Sequence, residues 1–545
     1  MKRFFLSVGA LLCLALSQAQ QPVSMDDLRM QPRANIISYD DENAIEHLRY
    51  DDSPYYLSVM EDWDENTSNI PSEYSQTYEF PREWRDYRIF FRFKASAGYG
   101  LFIDDKLVGY SRDAGAITEF DITDLVRFGK SNQLRLTFNK DANEPNLDAV
   151  DFGLTGDCAI LLKPLLNVQD YTLKADYESA SSVGIYTLET DLYNHRRKGK
   201  CYLELEIWDT KGQQVEKMGK WCFFDNRNES SQTISSSLPN VLPWTAETPH
   251  LYTAVIRLYN EKMELQDVVG TRFGFRTVAY KNGLMVNGKP ITLKGIVLSD
   301  DYGSLTEEGI KKLRSQMVQM KCNNINAIRT YGSFTDAAKF YELCDELGFY
   351  VVADANIFPV YDPTNVWATN KDYEDIFVYR VRNLYGQYKN HTSIIAWSLG
   401  DSPDNGYCMY SSYSALRQAD PARPVLYAAA QYAENTDLIC PTQCNTEQLR
   451  QYLAKAQSRP LVMLSFGGTE GNTFGGMSPL WQMVQDHVSI QGGFFNGQWN
   501  ELSITPYLGE LKQLYRPFDV RMTSTSADAA EFEITNLCDF RSLSD

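Results

Sequence analysis

Six acidic residues stand where apolar runs give way to polar loops in the second half of the chain: Asp300, Asp301, Asp354, Asp401, Asp404 and Glu470. Carboxyl groups at such places can give or take protons if the fold brings two of them face to face. Most loop acids are only solvated charges. Two serines, Ser402 and Ser465, occupy the same kind of position. A serine hydroxyl attacks a substrate only when a neighbouring base, usually histidine, takes its proton. The chain has 5 histidines in 545 residues. His391 precedes the apolar run that ends beside Ser402, which puts it at the far end of that strand. Ser402 and Ser465 therefore read as passive residues. No CxxC pair and no Cys/His cluster has zinc-site spacing, so neither a metal nor a cofactor is expected. The Gly475-Gly476 and Gly492-Gly493 pairs lack the GK[ST] that would follow in a phosphate loop, and read as tight-turn requirements.

The charge balance and the N-terminus bound where this chemistry would act. A net charge of -19 repels nucleic acid and anionic membrane surfaces. Lys2 and Arg3, the apolar run 4–16 and the small residues of Ser17-Gln18-Ala19 form a secretory signal peptide, with cleavage expected after Ala19. The run is too short to anchor in a bilayer. The mature chain is expected outside the cytoplasm, whether secreted, periplasmic or at the cell surface. Removing Cys13 with the leader leaves an odd number of cysteines. Cys201 and Cys222 are candidates to face each other in one β domain, though spacing alone does not establish a disulfide.

The elements that must position the strand-end residues follow from hydrophobic periodicity. Short alternating strands at 87–93, 100–103, 106–110 and 133–138, separated by Gly, Asp and Asn, predict a jelly-roll β-sandwich over 20–165. Strands at 184–192, 201–208 and 252–258 predict an immunoglobulin-like sandwich over 166–280. Apolar strands then alternate with helices. Eight strands, at 291–297, 326–329, 350–356, 394–399, 425–428, 438–440, 461–466 and 492–495, predict a (β/α)8 TIM barrel over 281–516. Its first helix begins near Ser304, with Glu307 completing a capping box and Ile310, Leu313, Met317 and Met320 on one face. Further helices are expected at 336–347, 373–388, 446–457 and 479–486. Strands at 520–522 and 531–535 open a further β domain, truncated at 517–545, that two strands cannot complete.

The barrel's chemistry belongs where its strands end, and the motifs there resemble a known family. Phe273-Gly274-Phe275-Arg276-Thr277-Val278 with Val286-Asn287-Gly288-Lys289-Pro290, then Asn324 through Arg329, His391 through Gly400, and Gly471 through Gly476 match in order. So do Pro243-Trp244-Thr245-Ala246-Glu247 in the second domain and Val108 through Asp113 in the first. On these segments, which run through nearly the whole mature chain, the protein resembles glycoside hydrolase family 2, β-galactosidases especially.

The resemblance implies hydrolysis of O-glycosyl bonds by two carboxyl groups, about 5–5.5 Å apart in a retaining enzyme. It places the acid/base in a Gly-Asn-Glu at the end of barrel strand four, where this chain reads Gly400-Asp401-Ser402. It places the nucleophile at the end of strand seven, where this chain reads Leu464-Ser465-Phe466. The surrounding family segments differ as well: Tyr331-Gly332-Ser333-Phe334, Asn356-Ile357-Phe358-Pro359-Val360, Thr442-Gln443, Gly468 and Asn496-Gly497-Gln498 stand where the family keeps its His-, Glu-, Tyr- and Trp-bearing loops. Asp151 matches a sugar contact, although Phe152-Gly153 replaces the Trp-Arg that follows it. Adjacent strand residues point to opposite faces, so Asp401 is not expected to reach the spot of Ser402; the resemblance gives it instead the role of the family asparagine, accepting a hydrogen bond from a ring hydroxyl. Trp499, with Tyr331, Phe358 and Tyr361, is expected to stack on sugar rings across an open cleft; ordinary packing is the alternative. The sequence thus predicts an inactive homologue that binds a carbohydrate or protein partner. The alternative is an active glycosidase of β-galactosides or related glycans that uses displaced carboxylates, Asp404 and Glu470 first among them.

Overall fold

The computed structural model describes residues 33–544 apart from 40–52, 60–62, 67–72, 96–97, 112, 114–115, 139–153, 300–306, 332–336, 356, 358–366, 402–403, 456–457, 469–474, 498, 504 and 527. Alternation builds the first sandwich. In the strand Tyr87–Ala95, Ile89, Phe91 and Phe93 point into a core shared with Tyr99, Leu101, Phe120, Leu136 and Phe138. Arg88 and Arg92 point the other way and pair with Asp121 and Glu119. The sandwich is a four-stranded sheet facing a five-stranded one.

The second sandwich packs the sheet Leu166–Glu178, Val183–Asn194 and Glu229–Leu238 on the sheet Gln214–Asp225, Lys198–Trp208, Tyr252–Tyr259 and Leu265–Phe273. In Val183–Asn194 every second residue from Gly184 to Asn194 is buried, as a sheet with one solvated face requires. The strands expected from the sequence at 184–192, 201–208 and 252–258 fall within these elements.

The third unit is a parallel sheet of seven strands, in the order Val425–Leu426, Ile394–Ser398, Tyr350–Asp354, Ala327–Tyr331, Leu293–Ser299, Ile490–Phe495 and Leu461–Phe466. Tyr350–Asp354 and Ile394–Ser398 are buried along their whole length, which is why they read as unbroken apolar runs. The expected strand at 438–440 is not regular. It closes the barrel through single bridges, Ile439 to Leu461 and Cys444 to Phe466, while Asp437 donates its N–H to the Val425 carbonyl at 2.8 Å on the other side. Pro441 explains the interruption, since it has no N–H to give a ladder.

Helices Glu307–Cys322, Ala337–Leu347, Glu374–Tyr388, Thr446–Ala454 and Met477–Asp486 follow the sequence reading. Leu313, Met317 and Met320 are buried and Ile310 half-buried; Ser304 lies outside the described residues. Tyr407–Ala419 and Pro506–Leu514 are additional helices. The buried face of Tyr407–Ala419 is Cys408, Met409, Ser412 and Leu416, so its 3.6-residue period rests partly on residues that do not count as apolar signals. Gly492 also departs from expectation. It sits inside a strand with φ +82, and a Cβ there would lie 2.1 Å from the Leu293 carbonyl oxygen; close approach of two barrel strands, rather than a tight turn, demands the glycine.

Two half-buried cations join the units. Arg276 donates to the carbonyls of Thr392 and Ile394, and burial pulls its guanidinium down to about 10. Lys321 Nζ donates to the Ala246 and Gly348 carbonyls at 2.7 and 2.6 Å, with burial pulling it to about 8. The hairpin Phe518–Thr525 and Ala530–Asn536 is exposed along both strands. Beyond it, the N–H groups of Asp539, Phe540 and Arg541 all donate to the Glu247 carboxylate, at 2.8, 2.9 and 2.7 Å. Among the described residues, no helix is long and apolar enough to cross a membrane.

Candidate functional site

The C-terminal ends of the barrel strands gather Arg329 and Tyr331, Asp354, Ser398 with Asp401, and Ser465. Register explains the first contact. Arg329 pairs with Val352 on the next strand, so Asp354, two residues further, shares its face. Asp354 and Arg329 side chains are 0% and 2% exposed and meet at 2.7 Å. Arg329 Nε also donates to both Asp354 oxygens, at 3.3 and 3.0 Å, and its Nη1 reaches the Leu464 carbonyl at 3.2 Å. Ser398, whose Oγ accepts the Gly400 N–H at 3.3 Å, lies near enough to the same carboxyl to favour its charged form, and the Asp354 N–H donates to Thr330 Oγ1 at 2.9 Å. This group braces strands two, three, four and seven from within. Burial pushes the Asp354 carboxyl up, and the Arg329 guanidinium pulls back against that push. Asp354 is thus an acid consumed by its partner, not one facing a cleft.

Ser465 is 6% exposed. Its Oγ accepts the Gln443 N–H at 2.8 Å, and its carbonyl accepts the Cys444 N–H at 2.8 Å. Gln443 has φ +47, a left-handed conformation that the serine contact steadies. None of its recorded partners is a histidine. His391 lies at the other end of its strand, with Nδ1 2.7 Å from Asp345 Oδ2. Among the described residues the Ser465 hydroxyl is hydrogen-bonded to no base, which a serine needs to become a nucleophilic alkoxide.

Asp401 is half-buried and follows Gly400, which has φ +91 and would set a Cβ 2.5 Å from the Ile357 carbonyl. The Asp401 N–H donates to that carbonyl at 3.2 Å. Its charge reaches Asp354, Arg329 and the half-open Tyr331, whose phenol is pushed up first by burial and then by Asp401. Asp404 is also half-buried, and its carbonyl accepts the Tyr427 hydroxyl at 2.5 Å.

Trp499 does not line an open cleft. It is 2% exposed and packs in the core outside the barrel strands, a cluster that includes Phe495, Leu502 and Tyr507. It therefore shows no open ring face to a sugar, contrary to the sequence expectation. Tyr331, at 38% exposed, does. Ser402, Glu470, Asp151, Asp300, Asp301, Phe358 and Tyr361 lie outside the described residues. Among the described residues, no group of three or more His, Cys, Asp and Glu side chains could hold a metal ion.

The brace of Arg329, Asp354 and Ser398 escaped the sequence reading. Its one signal is an arginine closing an apolar strand, because a buried guanidinium needs an acid.

The comparisons with known proteins agree with this architecture. The model described as glycosyl hydrolases family 2, TIM barrel domain, matches residues 278–515. The model described as glycosyl hydrolases family 2 matches 166–276. A β-galactosidase of Pseudoalteromonas haloplanktis is 30% identical over 489 residues, covering 81% of this chain and 45% of that protein. A β-galactosidase of Priestia megaterium is 25% identical, covering 81% and 46%. The chain spans about half the length of these curated relatives. Among solved structures, a Bacteroides uniformis β-glucuronidase superposes with TM-score 0.70 at 18% identity, covering 82% of this chain and 64% of that one. A structure described as a β-galactosidase of Bacteroides fragilis gives 0.69 at 17%, covering 83% and 78%; both likenesses bear on fold alone. With both family models matched almost without a break from 166 to 515 on a parallel barrel, the chain belongs to glycosyl hydrolases family 2.

Proposed function

We propose that this family 2 chain is exported and binds a glycan, of the β-galactoside or a related class, at the barrel mouth without cleaving it. The observation that carries the reading is Ser465. It stands where the family resemblance puts the nucleophile, and it offers there a neutral hydroxyl that accepts the Gln443 N–H. A hydroxyl has no charge with which to stabilise an oxocarbenium ion, and hydrolysis on this scaffold needs two acidic groups. Ser402, at the acid/base place, supports the same conclusion from the sequence. The pairing of Asp354 with Arg329 removes the most buried of the alternative acids among the described residues. Asp401 and Tyr331 supply a hydrogen-bond acceptor and an aromatic surface at the open mouth, which suits a sugar ring.

The test offers chromogenic β-galactosides and β-glucuronides to the purified mature chain, and in parallel applies it to a glycan array. Release at background with binding on the array is expected. Turnover well above background that is lost in Asp404→Asn or Glu470→Gln would overturn the reading in favour of displaced carboxylates. A blank array without turnover would turn it toward a protein partner.

A further inference from the structure

We infer that Cys201 and Cys222 form a disulfide that locks the outer hairpin of the second sandwich when the chain folds in an oxidising compartment. The two cysteines stand directly opposite each other in the antiparallel ladder between Lys198–Trp208 and Gln214–Asp225. Facing residues in such a ladder hold their Cα atoms about 4.5–5.5 Å apart, within the roughly 4.4–6.8 Å that a disulfide spans. Opposed residues also share a face. Here it is the inner one, where Cys201 and Cys222 are 0% and 1% exposed in the cluster that holds Leu203 and Phe224.

The thiols already act on each other. Both thiols are free in this structure, with Cys222 Sγ 3.7 Å from the Lys220 carbonyl, and each lies near enough to shift the other's ionisation, raising Cys201 and lowering Cys222. The other cysteines described are distributed elsewhere: Cys158 in the first sandwich, Cys322, Cys344, Cys408, Cys440 and Cys444 in the barrel, and Cys538 after the last hairpin. Oxidation therefore has one partner to choose in this domain.

Both sulfurs are buried in the finished sandwich, so the bond forms as the hairpin zips. The oxidant is a small disulfide such as oxidised glutathione. The Cys222 thiolate attacks one of its sulfurs and expels a glutathione thiolate. The Cys201 thiolate then attacks the Cys222 sulfur of the mixed disulfide and expels the second. Two electrons and both cysteine protons pass to the two departing glutathiones.

The bond has a structural purpose. Gln214–Asp225 is the edge strand of its sheet, laddered to Lys198–Trp208 on one side only. Its outer face carries Trp221 and Phe223, 38% and 60% exposed. An edge with exposed apolar residues invites pairing with another chain, and a cross-strand link forbids the one-residue slip that would turn those residues inward. The odd cysteine count of the mature chain is compatible with one such bond and free thiols elsewhere.

The experiment refolds the mature chain with oxidised glutathione or with a reducing thiol, alkylates it under denaturing conditions, and maps the peptides by mass spectrometry. Expected is a Cys201–Cys222 linked peptide in the oxidised sample, and a melting temperature for the second sandwich about 5–10 °C above the reduced one. That difference disappears in Cys201→Ala/Cys222→Ala. Full alkylation of both cysteines after oxidative refolding, or a link from either to another cysteine, overturns the inference. The wild-type peptide map decides the matter even if the double variant folds poorly, and it is independent of whether the barrel mouth binds or cleaves a glycan.

Discussion

At the scale of single residues, the barrel mouth separates acids that could do chemistry from one that holds the fold. Asp354 looks catalytic by position, at the end of a barrel strand, yet its carboxylate is enclosed by Arg329 and Ser398. Removing one partner of a buried, hydrogen-bonded pair leaves the other charge without compensation, at a cost of about 3–5 kcal/mol. Asp354→Asn should therefore lower the urea midpoint of the barrel sharply. Any glycan binding measured below that midpoint should persist. An unchanged midpoint together with an altered response to glycosides would show that Asp354 faces substrate after all. The contrast with Ser465 is instructive. The bond that its Oγ accepts from the Gln443 N–H is an ordinary one, worth about 1 kcal/mol, so the residue's interest lies in the acid that it is not.

At the scale of elements, the C-terminal segment is attached in an unusual way. Three successive N–H groups converge on one carboxylate, that of Glu247 at the end of the second sandwich. Charge-assisted bonds of this kind are worth about 1.5–3 kcal/mol each. Glu247→Ala should release 537–544 from the base of the barrel. Hydrogen exchange at Asp539, Phe540 and Arg541 should speed up at least ~10-fold while the barrel strands keep their protection. Unchanged exchange there would show that the hairpin is held by other contacts. The elements themselves were mostly legible in the sequence. Fully buried parallel strands announce themselves as apolar runs, and half-buried sandwich strands as alternation. Three features were not. The sixth barrel strand is broken by Pro441, whose effect on closure depends on neighbours far away in sequence. Helix Tyr407–Ala419 buries Cys408 and Ser412, which carry little hydrophobic signal. The bond between Arg329 and Asp354 depends on strand register, which fixes which of several strand-end acids meets the arginine.

At the scale of the whole molecule, a net charge of -19 and a set of buried acids give stability a pH dependence whose direction can be worked out. Burial pushes Asp267, in the second sandwich, up to about 6. It pushes Asp539 up to about 6 as well, with Lys294 and Lys289 opposing and Glu247 reinforcing. An acid whose folded value exceeds its unfolded value of about 4 is held protonated more tightly by the native state. Its contribution is fully present below about pH 4 and is lost as pH rises through 6. Acids of the opposite kind set the other limit. Burial would raise Asp420, but its ion pair with Arg423 and its bond from Trp397 outweigh that and hold it at about 2. Glu119, Glu206 and Glu346 are likewise held low by their cations. Their contribution is present above about pH 4 and disappears as pH falls toward 2. Self-repulsion of the excess negative charge, which grows with pH, adds to the alkaline loss. The two sets together place maximal stability in mildly acidic solution, near pH 5. Melting temperature should rise between pH 8 and 5 and collapse below about pH 3. In Asp267→Asn/Asp539→Asn the rise from pH 8 to 5 should flatten, while the acid collapse remains. A melting temperature that climbs steadily from pH 5 to 8 in the wild type would mean that the carboxyls of Asp267 and Asp539 are hydrated rather than enclosed.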